Sequence, residues 1–437
     1  MNATATGVAD PTHGPREGMI EALRRYEVIR SDAVEAAMRA VPRHLFVPEV
    51  PADQAYANVP VITKRHPDGE PLSSASEPGI IATLLEQLDV APGQRVLEIG
   101  TGIGYNAAVL SHLVGPDGEV TTIEYDAEIA ERARETLATT GHDNVRVVHG
   151  DGALGHTQRA PYDRVIVSTG AWDVPPAWLD QLTPKGRLVV PLRLPAWSQS
   201  VAFERAEDCW ASLSRRTCGF IPMDGPAGNP ARNIPLVDDE GVLADGDVVL
   251  RIDDDRKVDA AALAHAFTRP RQEVWTGVMM DNLEPQAYDH MLLRLATSLD
   301  GACKLNVSGD VFDRRLVVTV FRWGGLAVCE EDSLAYVTSR RTGDLIDGTE
   351  RSWFELGVFA HGPQAADLAD RVAGQIRDWN HNHRANSEPR IEIHPIGTPD
   401  ARLRDAYVVD KRHTRVAVSW VDAAPTRPVH SSSAQGS

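Results

Sequence analysis

Apolar residues recur along the chain in two periods, and these predict where helices and strands lie. The segment GIIATLLEQL, which follows Pro78, has the spacing of one buried helical face, formed by Ile80, Ile81, Leu84, Leu85 and Leu88. From residue 95 onward, short apolar runs such as RVLEIG, EVTTIEY and VRVVHGD alternate with helical segments such as AEIAERARETLATTG. Strands that alternate with helices in this way predict a parallel sheet covered on both faces.

The pattern changes after residue 225. A stretch rich in Gly, Pro and Asp, GPAGNPARNIPLVDDEGVLADGD, predicts a linker or surface loop. Beyond it, the predicted strands LVVTVF and TRVAVSW accompany one amphipathic helix, with Ala365, Leu368, Val372, Ile376 and Trp379 on its apolar face. We therefore predict a flexible N-terminus over 1–18, a catalytic α/β domain with N-terminal helices over 19–225, a smaller α+β domain over 226–421, and a disordered tail over 422–437.

Composition and charge narrow the possible functions. Acidic residues outnumber basic ones, 62 against 44, and the pI is about 5.3, which disfavours binding to nucleic acid or to an anionic membrane. No apolar run approaches the roughly 20 residues of a membrane helix, and the N-terminus lacks the pattern of a signal peptide, so we expect a cytoplasmic protein. The 4 cysteines form no CxxC pair, and we predict no metal site.

The most specific motif lies between a predicted strand and a predicted helix and comprises Glu98, Gly100, Thr101, Gly102 and Gly104 in LEIGTGIGY. Glycine allows a tight turn and close approach to a ligand, and the helix N-terminus favours an anionic group. A dinucleotide fingerprint read from Gly100 would need glycine where Tyr105 stands. The pattern acidic-x-Gly-x-Gly-x-Gly instead resembles the loop of S-adenosylmethionine-dependent methyltransferases with a Rossmann-like sheet.

Positions at the ends of the next two strands support a nucleoside ligand. Glu124 and Tyr125 end the second strand, where a carboxylate can accept hydrogen bonds from ribose hydroxyls. Asp151 and Gly152 end the third, where the carboxylate can meet an adenine amino group and the glycine leaves room for the ring. Because ligands of open α/β sheets bind at the carboxyl ends of strands, these positions together predict an S-adenosylmethionine site.

The methyl acceptor is predicted to be a carboxylate. No Asn-Pro-Pro-Tyr type motif, expected for methylation of an exocyclic amine or amide, occurs in the chain. A carboxylate is ionised at neutral pH and needs no general base, only positioning and the exclusion of water. A hydroxyl in the segment 73–76 is a candidate for that positioning. On spacing alone, however, a serine before Pro78 is more typical of a helix N-cap.

Segments across residues 19–225 are collinear with one enzyme family. They are RAVPRHLFVPE, AYANVPV, Ser76-Glu77-Pro78, VLEIGTGIGYNAAVL, GDG, YDRVIVSTGA and LTPKGRLVVPL leading to GFIPM, and this part resembles protein-L-isoaspartate O-methyltransferases. The resemblance implies a class I Rossmann-like methyltransferase fold and S-adenosylmethionine as cofactor, with S-adenosylhomocysteine as product. It also implies that Ser76 is the active-site residue. The chain departs from the usual pattern at residues 73–75 and at Gly79, on the substrate side.

The chain continues well beyond the point where those repair enzymes end. FELGVFAHGPQAADLADRVAGQIRDWN and DKRHTRVAVSW resemble the C-terminal domain of specialised relatives associated with lanthipeptides and graspetides, including the FxLD-system type. This implies a modified, ribosomally made and cyclised precursor peptide as substrate, and association with peptide-cyclising enzymes. The tryptophans of this part are interpreted either as a peptide-binding surface or, more commonly for large aromatics, as core: Trp275, Trp323, Trp353 and Trp379.

Three functions stay open at this point. The first is methylation of an aspartate in a cyclised peptide, giving an ester that collapses to a succinimide and can hydrolyse to isoaspartate. The second is general repair of L-isoaspartyl proteins, and the third is a non-catalytic, cofactor-binding scaffold of a peptide maturation complex. The intact Ser76 and glycine loop favour an enzyme over a scaffold, and the resemblance of the C-terminal part favours peptide maturation over repair.

Overall fold

The computed structural model describes residues 11–67, 69–229, 231–238, 241–244, 246–254, 256–343 and 352–422. Their strands form a 10-stranded sheet, a 7-stranded sheet and a 2-stranded sheet. Residues 1–10 of the predicted flexible N-terminus, and residues 423–437 of the predicted disordered tail, lie outside the described residues. Within the described ranges, no helix combines the length and the apolar character needed to cross a bilayer.

The N-terminal part contains α1 (His13–Arg25), α2 (Asp32–Ala40), α3 (Ala52–Ala55), β1 (Val61–Arg65) and β2 (Pro71–Ala75). The prediction of a flexible segment over 1–18 is wrong from His13 onward, where α1 begins. Glu17 accepts a hydrogen bond from Arg39 of α2 at 3.0 Å, which anchors the early turns of α1. Further along α1, Ile20 and Leu23 are buried in the core beneath α2. The strands β1 and β2 pair antiparallel.

The next part carries the predicted alternation of strands and helices. It comprises α4 (Pro78–Leu88), β3 (Arg95–Ile99), α5 (Tyr105–Val114), β4 (Glu119–Glu124), α6 (Ala127–Thr139), β5 (Val145–His149), β6 (Tyr162–Val167), α7 (Pro176–Asp180), β7 (Leu182–Leu194), β8 (Trp197–Arg205) and β9 (Trp210–Thr217). The strands β7, β6, β3, β4 and β5 are parallel neighbours in that order, and β8 and β9 continue the sheet antiparallel. The carboxyl ends of β3, β4 and β5 therefore share one edge, as the sequence predicts.

The remaining elements are β10 (Arg232–Pro235), β11 (Val248–Ile252), α8 (Ala260–Ala264), β12 (Gln272–Asp281), α9 (Pro285–Ser298), β13 (Ala302–Val307), α10 (Gly309–Asp313), β14 (Gly324–Glu330), β15 (Ser333–Arg341), β16 (Trp353–His361), α11 (Ala365–Asp378), β17 (Ser387–Pro395), β18 (Ala406–Asp410) and β19 (Thr414–Asp422). The second sheet is antiparallel, in the order β10-β11-β13-β14-β15-β16-β12. Leu368, Val372 and Ile376 of α11 are buried in its core, which confirms the predicted amphipathic helix.

The last three strands belong to the first sheet and not to the second. Strand β17 pairs with β9, where Ile393 lies opposite Trp210, and β19 and β18 follow it to the sheet edge. The predicted domain over 226–421 therefore does not coincide with one sheet, since 387–422 extend the other. The physical reason is burial: Ile391, Ile393 and Val416 complete the apolar cluster that includes Phe203 of β8.

Two further local predictions differ from the structure. The segment LVVTVF, predicted as a strand, is irregular apart from an isolated bridge between Phe321 and Gly324, and within it the Thr319 hydroxyl donates to the Phe321 carbonyl at 2.7 Å. The predicted linker after residue 225 contains β10, in which Ile234 is buried against the second sheet. In both cases a local hydrogen bond or a long-range pairing overrides the composition of the segment.

Candidate active site

A cavity of about 860 Å³ opens between the two large sheets. Its first side, which we call the loop wall, consists of Gly100–Gly104, Glu124, Tyr125 and Ser76. Its second side, the extension wall, consists of Asp289, Lys304, Asn306, Phe321 and Trp323. The cavity has the volume of a small-molecule site and lies where ligands of open α/β sheets bind.

The loop between β3 and α5 depends on its glycines. Gly100, Gly102 and Gly104 have φ of 92°, 50° and 86°, in the left-handed region that favours glycine. The Gly102 N–H donates to Glu124 Oε2 at 2.9 Å, which fixes the turn against the end of β4. A Cβ added to Gly102 would lie 3.7 Å from the Ser74 carbonyl oxygen, so the loop runs beside β2.

Glu98 is fully buried beneath this loop. Its Oε1 accepts hydrogen bonds from Asn106 Nδ2 at 2.7 Å and from Ser168 Oγ at 3.0 Å, and its Oε2 accepts one from Thr122 Oγ1 at 2.7 Å. Burial raises the pKa of Glu98 to about 7, although these hydrogen bonds favour the carboxylate. Its contacts connect β3, β4, α5 and the loop after β6, so it braces the glycine loop from below.

Glu124 and Tyr125 lie at the end of β4, on the cavity side. Glu124 Oε1 accepts a hydrogen bond from the Asp126 N–H at 3.1 Å, and burial raises the pKa of this carboxyl. Tyr125 is 46% exposed, and a Cβ added to Gly225 would lie 2.9 Å from its ring. The segment after β9 thus packs over the tyrosine and narrows the cavity there.

The other residues predicted to bind the cofactor, Thr101, Asp151 and Gly152, differ in their surroundings. The Thr101 hydroxyl is buried and hydrogen-bonds to Thr122 Oγ1 at 2.7 Å, within the protein. Asp151 Oδ1 accepts the Ala153 N–H at 2.9 Å and caps a short 3₁₀ turn, whereas Gly152 lines the cavity. Asp151 itself is not among the described residues that line it. Its contact with an adenine amino group stays a prediction.

Ser76 lies half-buried on the cavity wall, just before α4. The helix begins at Pro78, its N-cap residue is Glu77, and no side chain of the cap residue bonds to the helix. The interpretation of Ser76 as a helix cap is therefore wrong. Instead, Asn58 Oδ1 accepts the Gly79 N–H at 2.8 Å. In the described parts of the chain, no group hydrogen-bonds to the Ser76 hydroxyl.

The sequence analysis missed Arg43, which is fully buried and borders the cavity. Its Nε donates to the Ala55 carbonyl at 2.7 Å and its Nη2 to the Ala75 carbonyl at 3.3 Å, while its guanidinium lies 5.1 Å from the centre of the Tyr105 ring. Desolvation lowers its pKa. The bond to Ala75 holds the residue before Ser76 in place. The sequence feature that could have identified Arg43 is its position as a single arginine within the largely apolar segment AVPRHLFVPEV.

Among the described residues, one group of potential metal ligands occurs, outside the cavity lining: Cys209, Glu392 and His394. Glu392 Oε1 already accepts a hydrogen bond from Arg390 at 2.8 Å, and its Oε2 lies 3.3 Å from His394 Nε2. Because the guanidinium neutralises the carboxylate, we interpret the group as a hydrogen-bonded cluster. The absence of a metal site stays a prediction.

The loop wall fits S-adenosylmethionine. The glycine loop presents backbone without side chains, and the Glu124 carboxylate ends β4 beside it. A nucleoside with a charged amino-acid tail requires such a pairing of a strand-end carboxylate with a helix N-terminus.

Comparison with known proteins identifies this half of the chain. The family profile "Protein-L-isoaspartate(D-aspartate) O-methyltransferase (PCMT)" matches residues 15–226. The protein-L-isoaspartate O-methyltransferase of Methanopyrus kandleri is 42% identical over 217 residues, which is 49% of this chain and 92% of that protein. Protein-L-isoaspartate O-methyltransferase 2 of Archaeoglobus fulgidus is 45% identical over 40% of this chain and 78% of its own length.

A solved protein-L-isoaspartate O-methyltransferase aligns with 86% of this chain and 96% of its own, with 20% identity and a TM-score of 0.47. The level of sequence identity to the two archaeal proteins, over most of their length, establishes the relationship. The chain belongs to the protein-L-isoaspartate O-methyltransferase family of S-adenosylmethionine-dependent carboxyl O-methyltransferases.

Proposed function

We propose that this chain methylates the carboxylate of an aspartyl or isoaspartyl residue in a peptide, within the cavity between the two sheets. The observation that carries the proposal is the position of Ser76: its hydroxyl has no hydrogen-bond partner in the described part of the chain and lines the same cavity as the glycine loop. A hydroxyl in that place can donate to a substrate carboxylate.

The loop wall would hold S-adenosylmethionine, whose sulfonium supplies an electrophilic methyl group. Glu124 would accept hydrogen bonds from the ribose hydroxyls, and Gly152 would leave room for the adenine. Glu98 acts on the glycine loop through Asn106 and Thr122 and is a positioning residue.

The acceptor side needs no general base, since a carboxylate is already ionised at neutral pH. Ser76 would orient the accepting oxygen by donating one hydrogen bond to the carboxylate. Arg43 keeps the strand before Ser76 in position through the Ala75 carbonyl. Covering of the cavity by the second sheet would exclude water from the accepting oxygen, which raises its reactivity.

The more specific proposal concerns the peptide. The resemblance of the C-terminal part supports an aspartate in a cyclised, ribosomally made peptide, and the contribution of that part to the cavity agrees with such a role. In the resulting ester, the following backbone nitrogen would attack the carbonyl carbon. The N–C bond forms, the C–OCH₃ bond breaks, and methanol leaves with the amide proton. General repair of isoaspartyl residues is the alternative.

The test uses S-adenosylmethionine with a labelled methyl group and three peptides of one sequence. They are a linear aspartyl peptide, a linear isoaspartyl peptide and a thioether-cyclised aspartyl peptide. Base-labile label on the cyclised peptide alone, or labelled methanol released from that peptide alone, supports peptide maturation, and the same result with the linear isoaspartyl peptide supports repair. Label that is stable to base would place the methyl on nitrogen or carbon and overturn both. The half-buried Ser419, outside the cavity lining, offers Ser419→Ala as the matched control for Ser76→Ala.

A further inference from the structure

The extension wall comes from a part of the chain that the family profile does not cover, since that match ends at residue 226. Lys304 and Asn306 lie on β13, and Phe321 and Trp323 lie in the segment before β14. Any binding of a ligand by this wall is therefore a property of the C-terminal half of this chain.

Lys304 is a half-buried cation on this wall. Its Nζ lies 4.7 Å from the centre of the Trp323 ring, and no hydrogen bond or ion pair to Nζ occurs within the described residues. Arg251 occupies the position directly opposite on β11, where its guanidinium is paired with Asp253 at 2.8 Å, so Lys304 is the cation of this strand pair that has no carboxylate partner among the described residues. Desolvation, with Arg251 beside it, lowers the pKa of Lys304 to about 8. An ammonium in this setting favours an anionic ligand.

Beside the ammonium stands a pair of stacked rings. The rings of Phe321 and Trp323 lie 5.1 Å apart at an angle of 9°, and Trp197 of β8 packs behind both. Trp197 Nε1 donates to Thr217 Oγ1 at 2.9 Å, which fixes the base of the stack. The outer ring, Trp323, is 45% exposed. A rigid aromatic face next to a cation is suited to a flat or apolar side chain that neighbours a carboxylate.

The other buried cation at the cavity does not offer the same site. Arg43 donates to the carbonyls of Ala55 and Ala75, and although its Nη1 has no hydrogen-bond partner among the described residues, its side chain is completely buried. The loop wall carries the Glu124 carboxylate, and Glu77, beside Ser76, adds a second carboxyl group to the cavity lining. On the extension wall, Asp289 accepts the Thr217 N–H at 3.2 Å and burial raises the pKa of its carboxyl, so Lys304 is the group on this wall that attracts an acidic peptide.

We propose that the extension wall is a peptide subsite that selects acidic substrates: Lys304 binds a carboxylate that flanks the methylated one, and the Phe321–Trp323 pair packs against an apolar or aromatic side chain next to it. This rests on the proposed methyltransferase function. The flanking carboxylate is the partner because an ammonium paired with the accepting oxygen would reduce its nucleophilicity.

The first experiment uses whichever of the three peptides above accepts the methyl group, made with Glu, or Gln in its place, at one of the two positions on either side of the acceptor residue. Wild-type protein should prefer one Glu peptide over its Gln counterpart by roughly tenfold in kcat/KM, the effect of one charged hydrogen bond. In Lys304→Met this preference should disappear, mainly through a higher KM. Lys257→Met, which removes an exposed lysine of the same part of the chain, should leave the preference intact.

The second experiment tests the rings. Trp323→Ala should raise KM for peptides with Phe beside the acidic residue about tenfold more than for peptides with Ala there. Leu283→Ala, a truncation of a side chain that is 55% exposed elsewhere in the C-terminal half, should leave that ratio unchanged.

Binding of S-adenosylhomocysteine, measured by calorimetry on each variant, separates the outcomes. Unchanged affinity together with lost peptide selectivity supports the subsite. Weakened affinity in Lys304→Met would mean that Lys304 holds the cofactor's own carboxylate, and this would overturn the proposal. Equal use of Glu and Gln peptides by wild type would overturn it as well. A wild-type protein that methylates no peptide carboxylate at all would instead refute the proposed function.

Discussion

The two walls of the cavity are built on different physical principles. The loop wall relies on backbone: three glycines with positive φ and a carboxylate that binds one of their N–H groups. The extension wall relies on side chains, a cation and stacked rings carried by β13 and the segment before β14. A backbone wall suits a ligand of constant shape, such as a cofactor, whereas a wall of side chains can change with the substrate and leave the fold intact.

The walls are joined by buried polar contacts. Arg193 of β7 donates to Asp253, which follows β11, at 2.6 Å, with side chains only 3% and 4% exposed. Beside the cavity, the Thr217 N–H of β9 donates to Asp289 Oδ2 of α9 at 3.2 Å. The position of the extension wall relative to the glycine loop thus depends on a few specific pairs, which the following predictions separate.

The largest effect is expected from Gly102→Val. A β-branched residue is strained at φ of 50°, and its side chain would occupy the approach to the loop. Affinity for S-adenosylhomocysteine should fall by roughly a thousandfold, measured by calorimetry. The matched control is Gly141→Val, at φ of 79° with no atom within 4 Å of the added Cβ. It should lose stability but keep its affinity; unchanged affinity in Gly102→Val would refute the loop assignment.

The next largest effect concerns the pair that joins the walls. Asp253→Asn leaves Arg193 buried without its counter-charge and should lower the free energy of unfolding by about 3 kcal/mol in urea titrations. Asp208→Asn removes an exposed partner of Arg402, 2.5 Å away, and should cost less than about 1 kcal/mol. Equal costs in the two variants would show that the Arg193 pair does not hold the sheets together.

The Ser76→Ala variant tests the part of the cavity that would hold the methyl acceptor. Loss of one hydrogen bond to the accepting carboxylate should reduce kcat about a hundredfold and leave the affinity for S-adenosylhomocysteine unchanged. The reduction in rate is measured by single-turnover transfer of the labelled methyl group, with Ser419→Ala as the control variant. Because Ser76 does not cap α4, the melting temperature should stay the same. Wild-type turnover would leave Ser76 without a role in the reaction.

The smallest effect is a pH dependence of the extension wall. Burial and Arg251 and Arg193 lower the pKa of Lys304 to about 8, while Asp253 and Cys218 oppose the shift. The ammonium is thus present below pH 8 and is lost above it, so KM for a Glu peptide should rise several-fold between about pH 7 and 9. In Lys304→Met the KM should be independent of pH over this range. A wild-type KM that does not change would exclude Lys304 as the titrating group.

The sequence predicted the loop wall better than the extension wall, for a physical reason. A strand, a glycine turn and a helix are adjacent in sequence, so their periodicity and spacing reveal the turn at Gly100–Gly104 directly. The Ser76 cap was mispredicted because Asn58, 21 residues earlier, satisfies the Gly79 N–H instead. The stacking of Phe321 on Trp323, and their position over Lys304, depends on pairings between strands that no local pattern encodes.

The same limit applies to Arg43 and to the end of the chain. Neither the burial of Arg43 nor its bonds to Ala55 and Ala75 follow from spacing alone, since they require two other segments to meet it. The pairing of β17 with β9 joins residues about 180 positions apart, and alternation of apolar residues does not say which sheet a strand enters.

The return of β17, β18 and β19 to the first sheet has a consequence for engineering. Cutting the chain at residue 225 would strip three strands from that sheet and leave β9 as a bare edge, prone to aggregation. Residues 226–386 form a cassette that is inserted between two neighbouring strands of one sheet, β9 and β17, so both of its ends connect to the catalytic half. Exchange of substrate preference between such proteins would therefore have to graft this cassette at its two junctions, and fusing a new tail to the C-terminus would not suffice.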